Sequence, residues 1–205
     1  MTVQVYSDFI CPWCYISWRK IETILANLSE MQRPVVTWLA YQLDPKASSV
    51  PSVTAVEAMM GWYASEQEAK RRMAEIISAG AKAGLTLRLD LARPVNTMNA
   101  HRVAKLADLE GVGEAIREAL FRSYHVDGGN IAERDHLMFL AQRSGIDPEK
   151  TKQWLDDDRT RDSVQTEHAR ALHARVKSVP SIVIKGAEPF SAIQMADRLP
   201  SLLTK

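Results

Sequence analysis

The chain has 205 residues, about 1.4 times a ~150-residue domain, which fits one domain or one domain carrying a large insertion. Its 26 Lys and Arg against 25 Asp and Glu leave a net charge of +1, which argues against a nucleic-acid binder or a polybasic membrane anchor. Two cysteines exclude a disulfide framework, and no apolar run approaches the ~18 residues of a membrane span. The opening Met-Thr-Val-Gln-Val-Tyr-Ser-Asp has no basic segment followed by an apolar one. A cytoplasmic protein with its thiols in a reducing pool is therefore expected.

Val3 to Ser7 alternates like a first strand. Cys11 to Leu28 has apolar residues at three- and four-residue steps and Pro12 in its first turn, so it reads as a helix. Val35 to Leu43 reads as a second strand, closed by Asp44-Pro45. Helices then dominate. Thr54 with Glu57 and Ser65 with Glu68 have capping-box spacing. The second pair opens a helix with Met73, Ile76 and Ile77 on one face and Gly84 as its stop. Further helices are expected over about 98–110, 113–125 and 132–144, after Asp147-Pro148, and over about 159–177. Ser181 to Ile184 is a short β-branched strand, and 191–203 a last helix. Strands at both ends with helices between predict an α/β core interrupted by an all-helical insertion of roughly 100 residues.

Cys11-Pro12-Trp13-Cys14 is the one sharp chemical motif. A C-x-x-C after a strand and at the opening of a helix is a redox placement. The unpaired N–H groups and the dipole of the helix start favour a thiolate at the first cysteine. The second, one turn on, resolves a mixed disulfide at high effective concentration. The motif alone leaves three other readings open: a structural disulfide, half a zinc site, or two buried thiols with no role. No second Cys pair exists, and His101, His125, His136, His168 and His173 show no ligand spacing tied to the first, so no metal is expected. Val179-Pro180 precedes a strand, and locally its peptide bond fits cis or trans equally.

Taken together, these residues resemble a known family. The run Ser7 to Ile16 around the C-x-x-C, Asn96-Thr97-Met98-Asn99-Ala100-His101-Arg102, Leu120-Phe121-Arg122-Ser123-Tyr124 with Asn130-Ile131, and Val179-Pro180 occur in the family's order over most of the chain. The chain is similar to the DsbA-like thiol-disulfide oxidoreductases, and within them to the cytoplasmic subfamily named after FrnE. The resemblance implies a thioredoxin-like fold split by a helical domain: residues 1–50 and 156–205 as core, 51–155 as insertion. It implies Cys11 as attacking thiol, Cys14 as resolving thiol, and Pro180 as a cis-proline beside them. Val179 then offers its main chain to substrate, with Pro12 and Trp13 at the binding surface. The segment Glu188 to Gln194 departs from the family pattern, and Pro189 removes a ladder donor, so the last strand is expected to be short or an edge. Trp13 stands where DsbA has a histidine, which predicts a less oxidising couple.

Other residues have competing roles. Asp8 is either a carboxylate that moves protons near the thiols, or a turn residue paired with a nearby Arg or Lys. His101 and Arg102 either face the cleft between core and insertion or pack elsewhere. Trp18 and Trp38 are expected in the core, His168 and His173 on the surface, Asp156-Asp157-Asp158 at a solvated helix start, and Met59-Met60 as core filler. The functional expectation is a thiol-disulfide oxidoreductase without a resident cofactor. Glutathione is a candidate redox partner, and the expected substrates are disulfide- or dithiol-containing proteins or small molecules. Analogy with the family suggests a homodimer. The alternative is a glutathione-dependent transferase or a 2-hydroxychromene-2-carboxylate isomerase-like enzyme. Those relatives usually carry a serine near this helix start, whereas both positions here are cysteine.

Overall fold

A computed structural model describes residues 2–184 and 188–195. β1 (Thr2–Ser7) pairs in parallel with β2 (Val35–Ala40) and antiparallel with β3 (Ser181–Ile184), and β3 pairs antiparallel with β4 (Phe190–Ser191). The sheet order is β2-β1-β3-β4. A right-handed crossover through a helix is the usual way to join a parallel pair; here α1 (Pro12–Ala26) makes the connection. Between β2 and β3 come α2 (Ala55–Trp62), α3 (Glu66–Lys82), α4 (Met98–Leu109), α5 (Gly113–Arg122), α6 (Arg134–Arg143), α7 (Pro148–Asp156) and α8 (Arg159–His173). This is the expected thioredoxin-like α/β fold with a helical insertion. β4 is the short edge strand that Pro189 foretold.

Local chemistry explains most boundaries. Thr54 and Glu57 close a reciprocal capping box at α2. Ser65 accepts from the Glu68 N–H at the start of α3. Asp147 caps α7, with Pro148 at its first position. Gly84, at φ 75°, stops α3. Other boundaries differ from expectation. β2 stops at Ala40 instead of Leu43, because the Gln42 and Leu43 amides go to the side chains of His168 and Asp8. The expected helix over 113–125 widens into a π-turn, Ser123–Asp127, ended by Gly128 in the left-handed region. α8 ends at His173 because Arg175 turns the chain at φ 61°. Ile77 faces solvent at 46% exposure, while Met73 and Ile76 are buried. Of the last helix only α9 (Ala192–Met195) falls within the described residues.

One apolar cluster runs from the C-terminal end of the sheet (Tyr6, Phe9) through Cys11 and Cys14 into the helical block as far as Leu155. A smaller one, with Val3, Val5, Ile21 and Ile182, lies between sheet and α1. Arg102 is fully buried and, contrary to the cleft reading, faces no cleft. It donates to the carbonyls of Trp154, Leu155 and Asp157, to Thr160 Oγ1 and to Asn99 Oδ1. It therefore locks α4 to the turn between α7 and α8.

Candidate active site

β1 runs straight into the site. Its last residue, Ser7, is followed by a turn in which the Cys11 N–H donates to Asp8 O at 3.2 Å, and Cys11 becomes the N-cap of α1. Cys11 has extended backbone angles, and Cys14 sits one turn inside the helix with its N–H bonded to Cys11 O at 3.0 Å. Both are free thiols. Cys11 is 7% exposed and Cys14 is fully enclosed, so Cys11 is the more accessible of the two sulfurs. The Cys11 thiol donates to Val179 O at 3.6 Å, and the Val179-Pro180 bond is cis. Sequence positions 168 residues apart thus form one site.

Around the pair, Asp8 N–H donates to Cys14 Sγ at 3.4 Å. Burial pushes the Cys14 thiol well above its ordinary pKa, and the neighbouring Cys11 adds to this. The Asp8 carboxylate is wholly buried. Its Oδ2 accepts from Leu43 N–H at 2.7 Å, and its Oδ1 lies 3.1 Å from His101 Nε2. The structure thus joins the two modulators that the sequence offered separately, and Asp8 pairs with a histidine instead of an Arg or Lys. His101 is held by its ring contact with Phe9, 4.9 Å between centroids. Pro12 and Trp13 are half-buried at the start of α1, and Trp18 lies in the core.

His168 is half-buried instead of free on the surface. Its Nδ1 accepts from Gln42 N–H at 3.2 Å, its ring packs on Tyr41, and burial lowers its pKa. Glu167 accepts from Ala40 N–H at 2.8 Å and is ion-paired with Lys105. Asp8, Glu167 and His168 together hold the strap from Ala40 to Leu43 behind the thiols. Sequence reasoning missed Glu167 and Lys105, which carry no motif. It also gave no role to Tyr124, whose hydroxyl is pushed up by burial and by the charges of Asp8 and Cys11. Tyr124 stood in one of the matching motifs, which was the available signal.

Behind α1, Tyr15 stacks on Phe121 (5.0 Å, 6°) and donates to Glu118 Oε1 at 2.9 Å. Burial, reinforced by Glu118, raises the Tyr15 pKa to about 12. His125 stacks against Tyr15 and Phe121 and is 1% exposed. Burial pushes its pKa down to about 3, and the Phe9 main chain beside the ring offsets this only in part. Among the described residues no cluster of three or more His, Cys, Asp or Glu is arranged to hold a metal ion, and no helix is long and apolar enough to cross a membrane.

A thioredoxin-type sheet, a C-x-x-C at the first helix and a cis-proline against it define the class of protein. The family model of the DSBA-like thioredoxin domain matches residues 2–204, and the chain belongs to that family. It is similar to a probable DsbA oxidoreductase from Streptomyces coelicolor, 26% identical with a TM-score of 0.89, the match covering 100% of this chain and 88% of that one. An uncharacterised Bacillus subtilis protein, YwbO, is 25% identical over 89% of this chain and 86% of its own. The cytosolic disulfide reductase DsbM of Pseudomonas aeruginosa, solved with glutathione, shares the fold at a TM-score of 0.70 and 15% identity over 99% of this chain and 97% of its own. A 2-hydroxychromene-2-carboxylate isomerase shares it at 0.77 and 14% over 99% and 94%.

Proposed function

We propose that the protein is a thiol-disulfide oxidoreductase in which Cys11 attacks and Cys14 resolves. The contact of Cys11 Sγ with Val179 O beside cis-Pro180, above an enclosed Cys14, carries this reading. In the reducing direction the Cys11 thiolate attacks one sulfur of a substrate disulfide, forming a mixed disulfide and releasing the other sulfur as a thiolate. Cys14 then loses its proton and attacks Cys11 Sγ. The second substrate thiolate leaves, and Cys11–Cys14 is oxidised by two electrons while the substrate is reduced by two. The oxidising direction is the reverse.

Cys14 must ionise in a site whose burial opposes it. The Asp8 N–H supplies a donor to the sulfur as charge develops there. The Asp8–His101 pair is the buried group suited to take up and return that proton. Val179 offers main-chain hydrogen bonds to an extended substrate once its contact with Cys11 is released, and Pro12 and Trp13 form the apolar rim. No cation stands between the cysteines to hold a thiolate, which supports reductase or isomerase work in a reducing compartment such as the cytoplasm, with glutathione to recycle the pair. Disulfide- or dithiol-containing peptides and small molecules are the substrate class.

The test is trapping. Cys14→Ser mixed with an oxidised model peptide should accumulate an adduct at Cys11, read by intact mass. Cys11→Ser should give none. An adduct on Cys14 in Cys11→Ser, or none in either variant, rejects these roles.

A further inference from the structure

The β2 edge of the sheet borders a groove that the thiol site does not use. Its volume is about 1020 Å³, at the upper end for sites that hold sizeable ligands. Its walls are the C-terminal half of α1, the first residues of β2 and the turn joining α4 to α5. Glu22 stands 11 residues after Cys11, about 16 Å along the helix axis, so the groove lies at the far end of α1 from the thiols.

The β2 edge there is open. Tyr41 N–H points to β1 and donates to Ser7 O, whereas Ala40 N–H points outward and donates to Glu167. Main-chain direction alternates along a strand, so Val36 and Trp38 turn their N–H and C=O groups outward like Ala40. Glu167 fills the edge at Ala40 alone, and no described residue outside the sheet bonds to Val36 or Trp38. The opposite wall is tightly built. A Cβ on Gly113 would collide with Asp108 Oδ1, because the Asp108–Arg117 pair closes against it.

The charges inside are unbalanced in one respect. Glu22 is half-buried, and neither it nor Glu114 has an ion-pair partner within 4.0 Å among the described residues. After burial, Glu114 is the largest influence holding the Glu22 carboxyl above its usual range. Arg117 is committed to Asp108, and Arg33 donates its Nε to Leu28 O and keeps its charge, so the lining holds Glu22, Asp108 and Glu114 against Arg33 and Arg117.

We propose that this groove binds an extended peptide segment as an added strand on β2, with a Lys or Arg of the segment set between Glu22 and Glu114. Main-chain bonds to Val36 and Trp38 give affinity, and the carboxylate pair selects the cation. This site is independent of the thiol chemistry.

The probes are blocked, labelled hexapeptides of three Val-Lys or three Val-Glu repeats, titrated into the full chain by anisotropy. The Val-Lys peptide should bind and shift the amides of Val36 and Trp38 in NMR spectra, and the Val-Glu peptide should bind at least about tenfold more weakly. Val36→Pro removes an outward N–H while sparing the ladder to β1, and should weaken binding by about tenfold. Glu22→Gln with Glu114→Gln should do the same, and it decides the matter if the proline variant misfolds. Equal binding of both peptides, binding insensitive to the carboxylates, or no binding at millimolar peptide would overturn the proposal. So would a dimer in sedimentation that Val36→Pro dissociates, since the edge would then belong to a second copy.

Discussion

Single residues carry most of the testable chemistry. The buried Asp8–His101 pair sits on the main-chain donor to Cys14. Asp8→Asn keeps the shape and removes the charge. It is expected to slow resolution of the mixed disulfide by roughly 10- to 100-fold, in the range of lost general-acid/base help, while leaving formation of the adduct at Cys11 nearly unchanged. Stopped-flow measurement of the two steps separates them, and equal slowing of both would point to a structural role. His125 tests burial directly. Its pKa of about 3 lies below the 6.5 of an ordinary histidine, so the unfolded chain binds its proton first as pH falls. From this group stability is lost below pH 6.5, at about 1.4 kcal/mol per pH unit, down to about pH 3. His125→Phe keeps the ring stack and removes the titratable imidazole. Its advantage over the wild-type chain in urea unfolding should grow by about 2 kcal/mol between pH 7 and pH 5. A constant difference would show that His125 titrates in the folded chain as it does in the unfolded one. The sequence exposed the cysteines and both members of the Asp8–His101 pair as separate positions. It did not expose their contact, because a pairing across 93 residues has no local periodicity.

Among the elements, local signals were strongest where they were chemical. The Thr54–Glu57 box, the Asp147-Pro148 start and the Gly84 stop were legible because each satisfies its own helix end. The ends that tertiary contacts decide were not. β2 stops where Glu167, His168 and Asp8 take the amides of Ala40, Gln42 and Leu43. α8 stops in a Schellman motif, with Arg175 N–H on Leu172 O and Val176 N–H on Ala171 O, although its left-handed residue is an arginine. Arg175→Gly should therefore stabilise the protein by about 0.5–1 kcal/mol, read as a rise in Tm. Arg102 shows the opposite case. Its guanidinium serves three carbonyls and two side-chain oxygens in the interior, and Arg102→Ala should cost about 3–5 kcal/mol in denaturant unfolding. A loss below 1 kcal/mol would mean that the turn between α7 and α8 holds itself.

For the whole molecule, the alternation of strand-rich ends with a helical middle was enough to give the split α/β fold. Strand order and the shared core were not readable from patterning, since both depend on which faces meet. The cluster that joins Tyr6 and Phe9 to Leu137 and Leu155 passes through both cysteines, so the thiol site lies where sheet and helices share their interior. The proposed chemistry requires that site to be a working redox couple. The most direct measurement is the equilibrium state of the purified full chain across a glutathione series, read by alkylation and intact mass. The predicted result is a reversible Cys11–Cys14 disulfide lost and gained in one two-electron step, with a midpoint between about −180 and −270 mV. Two thiols that stay free at every potential, or a lasting adduct of one glutathione on Cys11 with no internal disulfide, would contradict it.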